Sequence, residues 1–127
     1  ISSKKLKKEH LQQLYNEFGT ALEKSARKSW IKFFLNDFLT RTEKIMLAKR
    51  FAVIYLLSKE IPASYISEAL CMSPATISRM SVKYETGRYS SLLRTTKNDS
   101  LWGILEKILK ARLPPRTGRG RWKFLYK

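Results

Sequence analysis

The sequence predicts an all-α helical bundle, and three observations lead to this prediction. Apolar side chains recur at helical spacing along most of the chain. Two kinds of helix start signal, a capping box and a Ser-Pro pair, stand near the middle, and proline or glycine follows the ends of several predicted helices. The chain has 127 residues, 43% of them apolar, which suffices for one domain with a modest core. We therefore expect one helical domain over residues 1–113 and a basic arm over residues 114–127.

The first two predicted helices carry a surplus of large apolar side chains. Residues 6–22 form an amphipathic pattern whose apolar members share one helix face: Leu6, Leu11, Leu14, Tyr15, Phe18 and Leu22. Residues 28–39 hold more bulky groups than one stripe on a small domain needs: Trp30, Ile31, Phe33, Phe34, Leu35 and Phe38. Two explanations stay open, because these groups can be buried between subunits or can fill the core of the monomer.

The third helix begins with a capping box in which the side chains and amides of Thr40 and Glu43 satisfy one another. It continues over residues 44–59 and ends before Pro62, because the residue that precedes a proline avoids the helical conformation. A short helix over residues 62–70 follows. Cys71 and Met72 then form a break, in which we expect the cysteine to fill a small buried gap.

A fifth segment, residues 74–85, is predicted to be a helix because Ser73 can cap it and Pro74 suits its first turn. At about 100° per residue, Ile77, Met80 and Tyr84 fall on one side, while the opposite side carries Ala75, Thr76, Arg79 and Lys83. Two short helices joined by a tight break are typical of a helix-turn-helix whose second helix enters the major groove. The alternative is an ordinary αα-hairpin with a solvated face.

A connector, a last helix and a basic tail are predicted after the fifth helix. Gly87 is predicted to end the fifth helix, and residues 88–98 form a polar connector whose Arg88, Arg94 and Lys97 can touch phosphates. A last helix begins near residues 98–100 and ends before Pro114, with a buried stripe formed by Leu101, Trp102, Leu105, Ile108 and Leu109. In the tail, Arg119 and Arg121 flank Gly120 as in arms that enter the minor groove. The alternating Trp122, Phe124 and Tyr126 suit either a short packed strand or stacking on bases.

Charge and composition narrow the class of partner. A net charge of +16 and a pI near 10.2 favour a polyanion, and nucleic acid comes before a membrane because no apolar stretch is long enough to span a bilayer. The amino terminus lacks the apolar core of a secretory signal, so we expect a cytoplasmic, nucleoid location. The lone Cys71 excludes an internal disulfide and a zinc site. The acidic residues are scattered, so we expect no metal site and no enzyme.

Residues 38–87 resemble the DNA-binding half of the Trp repressor superfamily. The matching pieces are "LTRTE", "LAKR", "SEAL" and "ATISR" at the corresponding spacing. The resemblance implies an intertwined homodimer whose two reading heads lie about one DNA turn apart. It also implies that Ala75, Thr76, Ser78 and Arg79 lie at DNA, with Pro74 in place of an aliphatic residue.

The same resemblance implies an effector pocket, because Thr40, Arg50 and Arg79 match the residues that hold tryptophan in the founding member. However, Met80 stands where the tryptophan-binding protein has a glycine, and its flexible side chain can occupy the space that an indole needs. We therefore expect no cofactor and no tryptophan-like corepressor.

Together these features predict a sequence-specific, homodimeric transcriptional regulator that binds double-stranded DNA, with no membrane association. An RNA-binding or ribosome-associated protein and the DNA-binding fragment of a transposase are the alternatives. The residues expected to contact DNA are Ser73, Pro74, Ala75, Thr76, Ser78, Arg79, Lys83, Arg88, Arg119 and Arg121.

Overall fold

The computed structural model describes residues 5–96 and 99–112, and over these ranges it consists of α-helices without a strand. The predicted all-α fold is thereby confirmed. The helices are α1 (Lys8–Arg27), α2 (Ile31–Phe38), α3 (Arg41–Ser58), α4 (Ala63–Leu70), α5 (Pro74–Glu85), α6 (Ser90–Thr95) and α7 (Asp99–Arg112). The chain divides into two compact units, residues 1–44 and 45–127, with the division inside α3. The predicted domain limits stay a prediction, and the predicted arm lies outside the described residues.

The amino-terminal unit packs α1 against α2 through a small aromatic cluster. The ring of Phe18 stacks on that of Phe38 with 5.0 Å between centroids, and Phe34 lies 5.8 Å from Phe38. Between residues 5 and 44 no side chain is buried. Exposed large groups on these helices and in the turn between them include Leu11, Leu14, Tyr15, Trp30 and Phe33. The monomer's own core therefore does not take up the predicted apolar surplus.

Helix α3 begins with the predicted capping box. The amide of Thr40 donates to Glu43 Oε1 at 2.8 Å, and the amide of Glu43 donates to Thr40 Oγ1 at 3.1 Å. These hydrogen bonds, that from the Thr40 backbone first, lower the pKa of Glu43 below its ordinary value of 4.5. The capping box therefore holds a charged carboxylate in the first turn of α3, where the helix dipole favours it.

The core of the carboxy-terminal unit surrounds the second half of α3. All six residues from Ala52 to Leu57 are buried, so this part of the helix is apolar on every side. Its partners in the core are the remaining buried residues, which lie in α4, α5, α7 and the loop before α4: Ile61, Ile66, Ala69, Leu70, Ile77, Met80, Leu105 and Leu109. Because α4 packs on both α5 and α7, this core fixes the position of α5.

The segment after α5 is partly helical, so the expectation of a polar connector over residues 88–98 was wrong. Helix α6 occupies its middle, and Tyr89, Leu92 and Leu93 pack against the core. The adjacent leucines supply the apolar contact that a connector would lack. Gly87 ends α5 as predicted: its φ is 83°, its amide donates to the Tyr84 carbonyl, and the Arg88 amide donates to the Lys83 carbonyl.

Cys71 is exposed, and the prediction that it fills a buried gap was wrong. The residue ends α4 in the left-handed conformation with a φ of 54°, while the Met72 amide donates to the Ser67 carbonyl at 3.0 Å. In this position the backbone closes the helix and the thiol is left at the surface, where it accepts a hydrogen bond from the guanidinium of Arg112. The same left-handed conformation ends α1 at Ser29 and α3 at Glu60.

Candidate nucleic-acid interface

Helices α4 and α5 are joined by a three-residue turn, Cys71 to Ser73. The left-handed backbone of Cys71 reverses the chain, and the Ser67 hydroxyl closes the turn by donating to the Met72 carbonyl at 2.6 Å. Ile66 on α4 and Ile77 on α5 are fully buried in the same core. This is the geometry of a helix-turn-helix in which the second helix is held by its own buried face.

The first turn of α5 is ordered by a chain of polar contacts. The Thr76 amide donates to Ser73 Oγ at 3.2 Å, which confirms Ser73 as the cap, and the two hydroxyls are 2.8 Å apart. The Arg79 guanidinium in turn donates to Thr76 Oγ1 at 3.5 Å. This contact is at the long limit of hydrogen-bond distance, and it places the guanidinium beside the first turn of the helix.

The two sides of α5 differ as predicted. Ile77 and Met80 are buried and Tyr84 is half-buried, whereas the opposite side is open to solvent. Of the residues expected at DNA within this segment, Thr76 is half-buried and the following are exposed: Ser73, Pro74, Ala75, Ser78, Arg79 and Lys83. Contact of these side chains with DNA stays a prediction.

Val82 belongs to this exposed face and was missed by the sequence reasoning. Its side chain is 61% exposed, which is unusual for a β-branched apolar residue in the middle of a helix. At about 100° per residue, Val82 lies between Ser78 and Ala75 around the helix axis. Helical periodicity alone therefore places Val82 on the exposed face, but the sequence reasoning assumed that an apolar residue would be buried.

Beside the exposed face of α5 lies a strongly basic cleft of about 470 Å³. Its lining residues are Arg50, Thr76, Arg79, Met80, Lys83, Arg88 and Tyr89. Two residues of the predicted effector pocket, Arg50 and Arg79, thus line one cavity. The third, Thr40, belongs to the amino-terminal unit, where it caps α3.

Met80 is only 6% exposed and lines this cleft as well as a second one of about 260 Å³. The second cleft is lined by Met46, Lys49, Arg50, Met72, Ser73, Thr76 and Met80. The methionine therefore occupies space between the buried face of α5 and the two clefts.

Other expected features fall outside these elements. Arg119 and Arg121 lie outside the described residues, as do the aromatic residues of the tail. Over the described ranges, no group of three or more His, Cys, Asp or Glu side chains could hold a metal ion. In the same part of the chain, no helix combines the length and apolarity that crossing a membrane requires.

The fold and this site are those of the helix-turn-helix class of proteins. The family model for the Trp repressor protein matches residues 9–97, which is more than half of the chain, and the chain therefore belongs to this family. The match confirms the resemblance found over residues 38–87 and extends it over α1 and α2. Members of the family are DNA-binding regulators without enzymatic activity. Comparison with curated proteins gave no match, and neither did comparison with solved structures.

Proposed function

We propose that this protein is a sequence-specific transcriptional regulator that binds double-stranded DNA in the cytoplasm as a homodimer. The observation that carries the proposal is the division of α5 into a buried side, formed by Ile77 and Met80, and an exposed side of small, hydroxyl and cationic residues. The family match and the net charge of +16 support it. The major groove, about 12 Å wide, accepts a helix of this kind.

Base contacts and phosphate contacts are assigned by side-chain chemistry. Ala75 and Val82 offer methyl groups to thymine, Ser78 offers a hydroxyl, and Arg79 offers a bidentate donor to guanine. Thr76 and the end of the helix at Ser73 and Pro74 approach the groove edge. Lys83 and Arg88, a point charge and an exposed guanidinium beyond the helix end, contact phosphates and set the register on the duplex.

The homodimer is proposed from the apolar surface of the amino-terminal unit. Phe33 is 72% exposed and Tyr15 is 70% exposed, and monomeric proteins seldom display many such groups together. A second copy that covers them would bury apolar area on both subunits. The two copies of α5 would then read half-sites about 34 Å apart on the duplex.

We also propose that DNA binding needs no corepressor. The side chain of Met80 is nearly buried and lines the cleft together with Arg50 and Arg79, at the position where the tryptophan-binding protein has a glycine and thus more room for an aromatic effector. A calorimetric titration with tryptophan and close analogues tests this. We expect no saturable binding, and operator binding that depends on the amino acid would contradict it.

Random-site selection with the purified protein tests sequence-specific binding. We expect a two-fold symmetric consensus with two half-sites. Arg79→Ala should cost about 1–3 kcal/mol and relax one base position, whereas Lys83→Ala should weaken all sequences alike and lower the slope of log affinity against log salt by about 0.9. Tighter binding to structured RNA than to every selected duplex would contradict the proposal.

The dimer is tested separately by sedimentation at several concentrations. Phe33→Ser should raise the dissociation constant at least tenfold, because burying a phenylalanine contributes about 1.5–3 kcal/mol. Lys32→Ser, one residue away on an exposed and charged position, is the matched control. A wild-type protein that stays monomeric at micromolar concentration would contradict the dimer.

A further inference from the structure

The basic cleft beside α5 concentrates positive charge that no acidic side chain of the cleft balances. Arg50 comes from α3, Arg79 and Lys83 come from α5, and Arg88 follows the end of that helix. None of the residues that line the cleft is acidic. The four cations are therefore brought together by three separate parts of the fold rather than by one run of sequence.

These cations are exposed, and among the described residues none of the four forms a salt bridge. Salt bridges in that part of the chain include those between Arg27 and Glu23 and between Lys110 and Glu106, away from the cleft. Like charges held around one cavity repel each other, and a bound anion would relieve this repulsion. The electrostatics of the cleft thus favour a ligand with more than one negative charge.

The polar groups between the cations fit a tetrahedral oxyanion better than a planar apolar ligand. Thr76 contributes a hydroxyl that already accepts from Arg79, and half-buried Tyr89 contributes a phenolic group on the cleft wall. Guanidinium groups bind phosphate through paired hydrogen bonds, and lysine adds a point charge. Met80 is the aliphatic member of the wall. Hydroxyl and guanidinium donors on several sides are what the oxygens of a phosphoryl group require.

We infer that this cleft is a phosphate-binding site, in which Arg50 and Tyr89 act together with Lys83 and Arg88, while the positive charge of Arg79 on the cleft wall adds to the attraction. The phosphoryl group has two sources, a phosphate of the DNA backbone or a free phosphorylated molecule. The site itself does not depend on the function proposed above, whereas its use by a DNA phosphate rests on that function. If DNA is the source, Arg50 adds a contact behind the reading face that fixes the depth of α5 in the groove.

The first experiment measures binding of inorganic pyrophosphate to the full chain by calorimetry at constant ionic strength, with sulfate as a second anion. We expect saturable binding of pyrophosphate that is weakened about tenfold in Arg50→Gln, since a charge-assisted pair is lost. Lys107→Gln removes an equal charge from an exposed site on α7 that does not line the cleft, and its affinity should match the wild type. The same comparison with Tyr89→Phe tests the phenolic group, for which we expect a smaller loss.

The second experiment identifies the source with a selected duplex in which single phosphates are replaced by neutral methylphosphonates. If one position lowers the affinity of the wild type but not of Arg50→Gln, the occupant is that DNA phosphate. If no position does so while pyrophosphate binding still depends on Arg50, the occupant is a free phosphorylated molecule. Circular dichroism of each variant shows that the helices persist.

Two results would overturn the inference: no saturable pyrophosphate binding, or equal weakening by Arg50→Gln and Lys107→Gln. Failure of the proposed function looks different. A protein that binds pyrophosphate through Arg50 but selects no DNA sequence keeps the phosphate site and loses the regulator. Sequence-selective binding that is indifferent to Arg50, without pyrophosphate binding, keeps the regulator and loses the site.

Discussion

Residues 5–44 contain no buried side chain, whereas the segments from Ala52 to Leu109 share one continuous core. Both regions are rich in leucine and aromatic residues, so composition does not separate them. The difference is topological. Two helices in contact can cover only one stripe of each other, while the second half of α3 shares a core with three further helices. The exposed apolar residues of the amino-terminal unit therefore form an incomplete core, which in our proposal a second subunit completes.

The largest effect is expected for the same truncation placed in each region. Leu56→Ala should lower the unfolding free energy by about 2–5 kcal/mol, because Leu56 is 0% exposed and its truncation leaves a cavity. Leu14→Ala, at a side chain that is 61% exposed, should cost less than about 0.5 kcal/mol in dilute solution. Urea unfolding at low protein concentration measures both. Equal costs for the two variants would mean that the amino-terminal unit is as well packed as the core.

A smaller effect is expected for the two helix caps. Ser73→Ala removes the acceptor for the Thr76 amide and should cost about 1 kcal/mol. Thr40→Ala removes the corresponding bond at the start of α3 in the amino-terminal unit. If that unit unfolds with the rest of the chain, both losses should appear in the global free energy. A Thr40→Ala loss visible only as reduced helicity before the main transition would show that the two regions unfold separately.

Glycine substitutions at helix ends where the residue has a positive φ are expected to stabilise the protein. Cys71→Gly should raise the unfolding free energy by about 0.5–1 kcal/mol, because glycine adopts a positive φ without a steric penalty. Ser29→Gly is the matched change in the amino-terminal unit, where φ is 61°. Gly87→Ala is the reverse control and should destabilise, since its added methyl meets no neighbour and only the backbone penalty acts. A melting temperature that falls in Cys71→Gly would mean that the bond between the thiol and Arg112 outweighs the backbone gain.

The smallest effect concerns pH. The pKa of Glu43 is lowered in the folded state, so its charged carboxylate stabilises the fold. This contribution to the unfolding free energy is present above the ordinary pKa of 4.5 and is lost as the pH falls through the lowered pKa of the folded state. Because the group is exposed, the change should be slight. Thermal melts of the wild type and Glu43→Gln from pH 6 to pH 3 measure it, and the variant should show a flatter dependence over that range. Parallel curves would mean that the capping box does not survive in solution.

Much of the fold followed from local signals. The capping box at Thr40, the Ser-Pro start at Ser73 and the glycine at position 87 each act within one helical turn, and each lies where the sequence predicts. Helix α6 was missed because its adjacent leucines gain their value only from a core assembled by distant residues. The role of Cys71 was missed because any residue type can occupy a left-handed helix end when tertiary contacts offset its strain.

The candidate site likewise combines features that local sequence signals predicted with features that they did not. The two faces of α5 follow from periodicity alone, apart from Val82, whose exposure contradicts its residue type. That Arg50 and Arg88 line one cleft was beyond local reasoning, because the two lie far apart in sequence and are brought to the cleft by the core that α3 and α5 share. The resemblance to the Trp repressor superfamily indicated Arg50 as an effector ligand, but the cleft around Arg50 forms only in the assembled fold.

The position of Met80 has a consequence for how regulators of this kind change their signals. Arg50, Thr76 and Met80 line both clefts, whose volumes are about 260 and 470 Å³. Two of these side chains are polar, and the third is the flexible thioether of Met80. A shorter side chain at position 80 would add space beside both clefts without changing the residues that face the groove. Sensitivity to a new metabolite can thus arise in such a scaffold while the operator that it recognises stays the same.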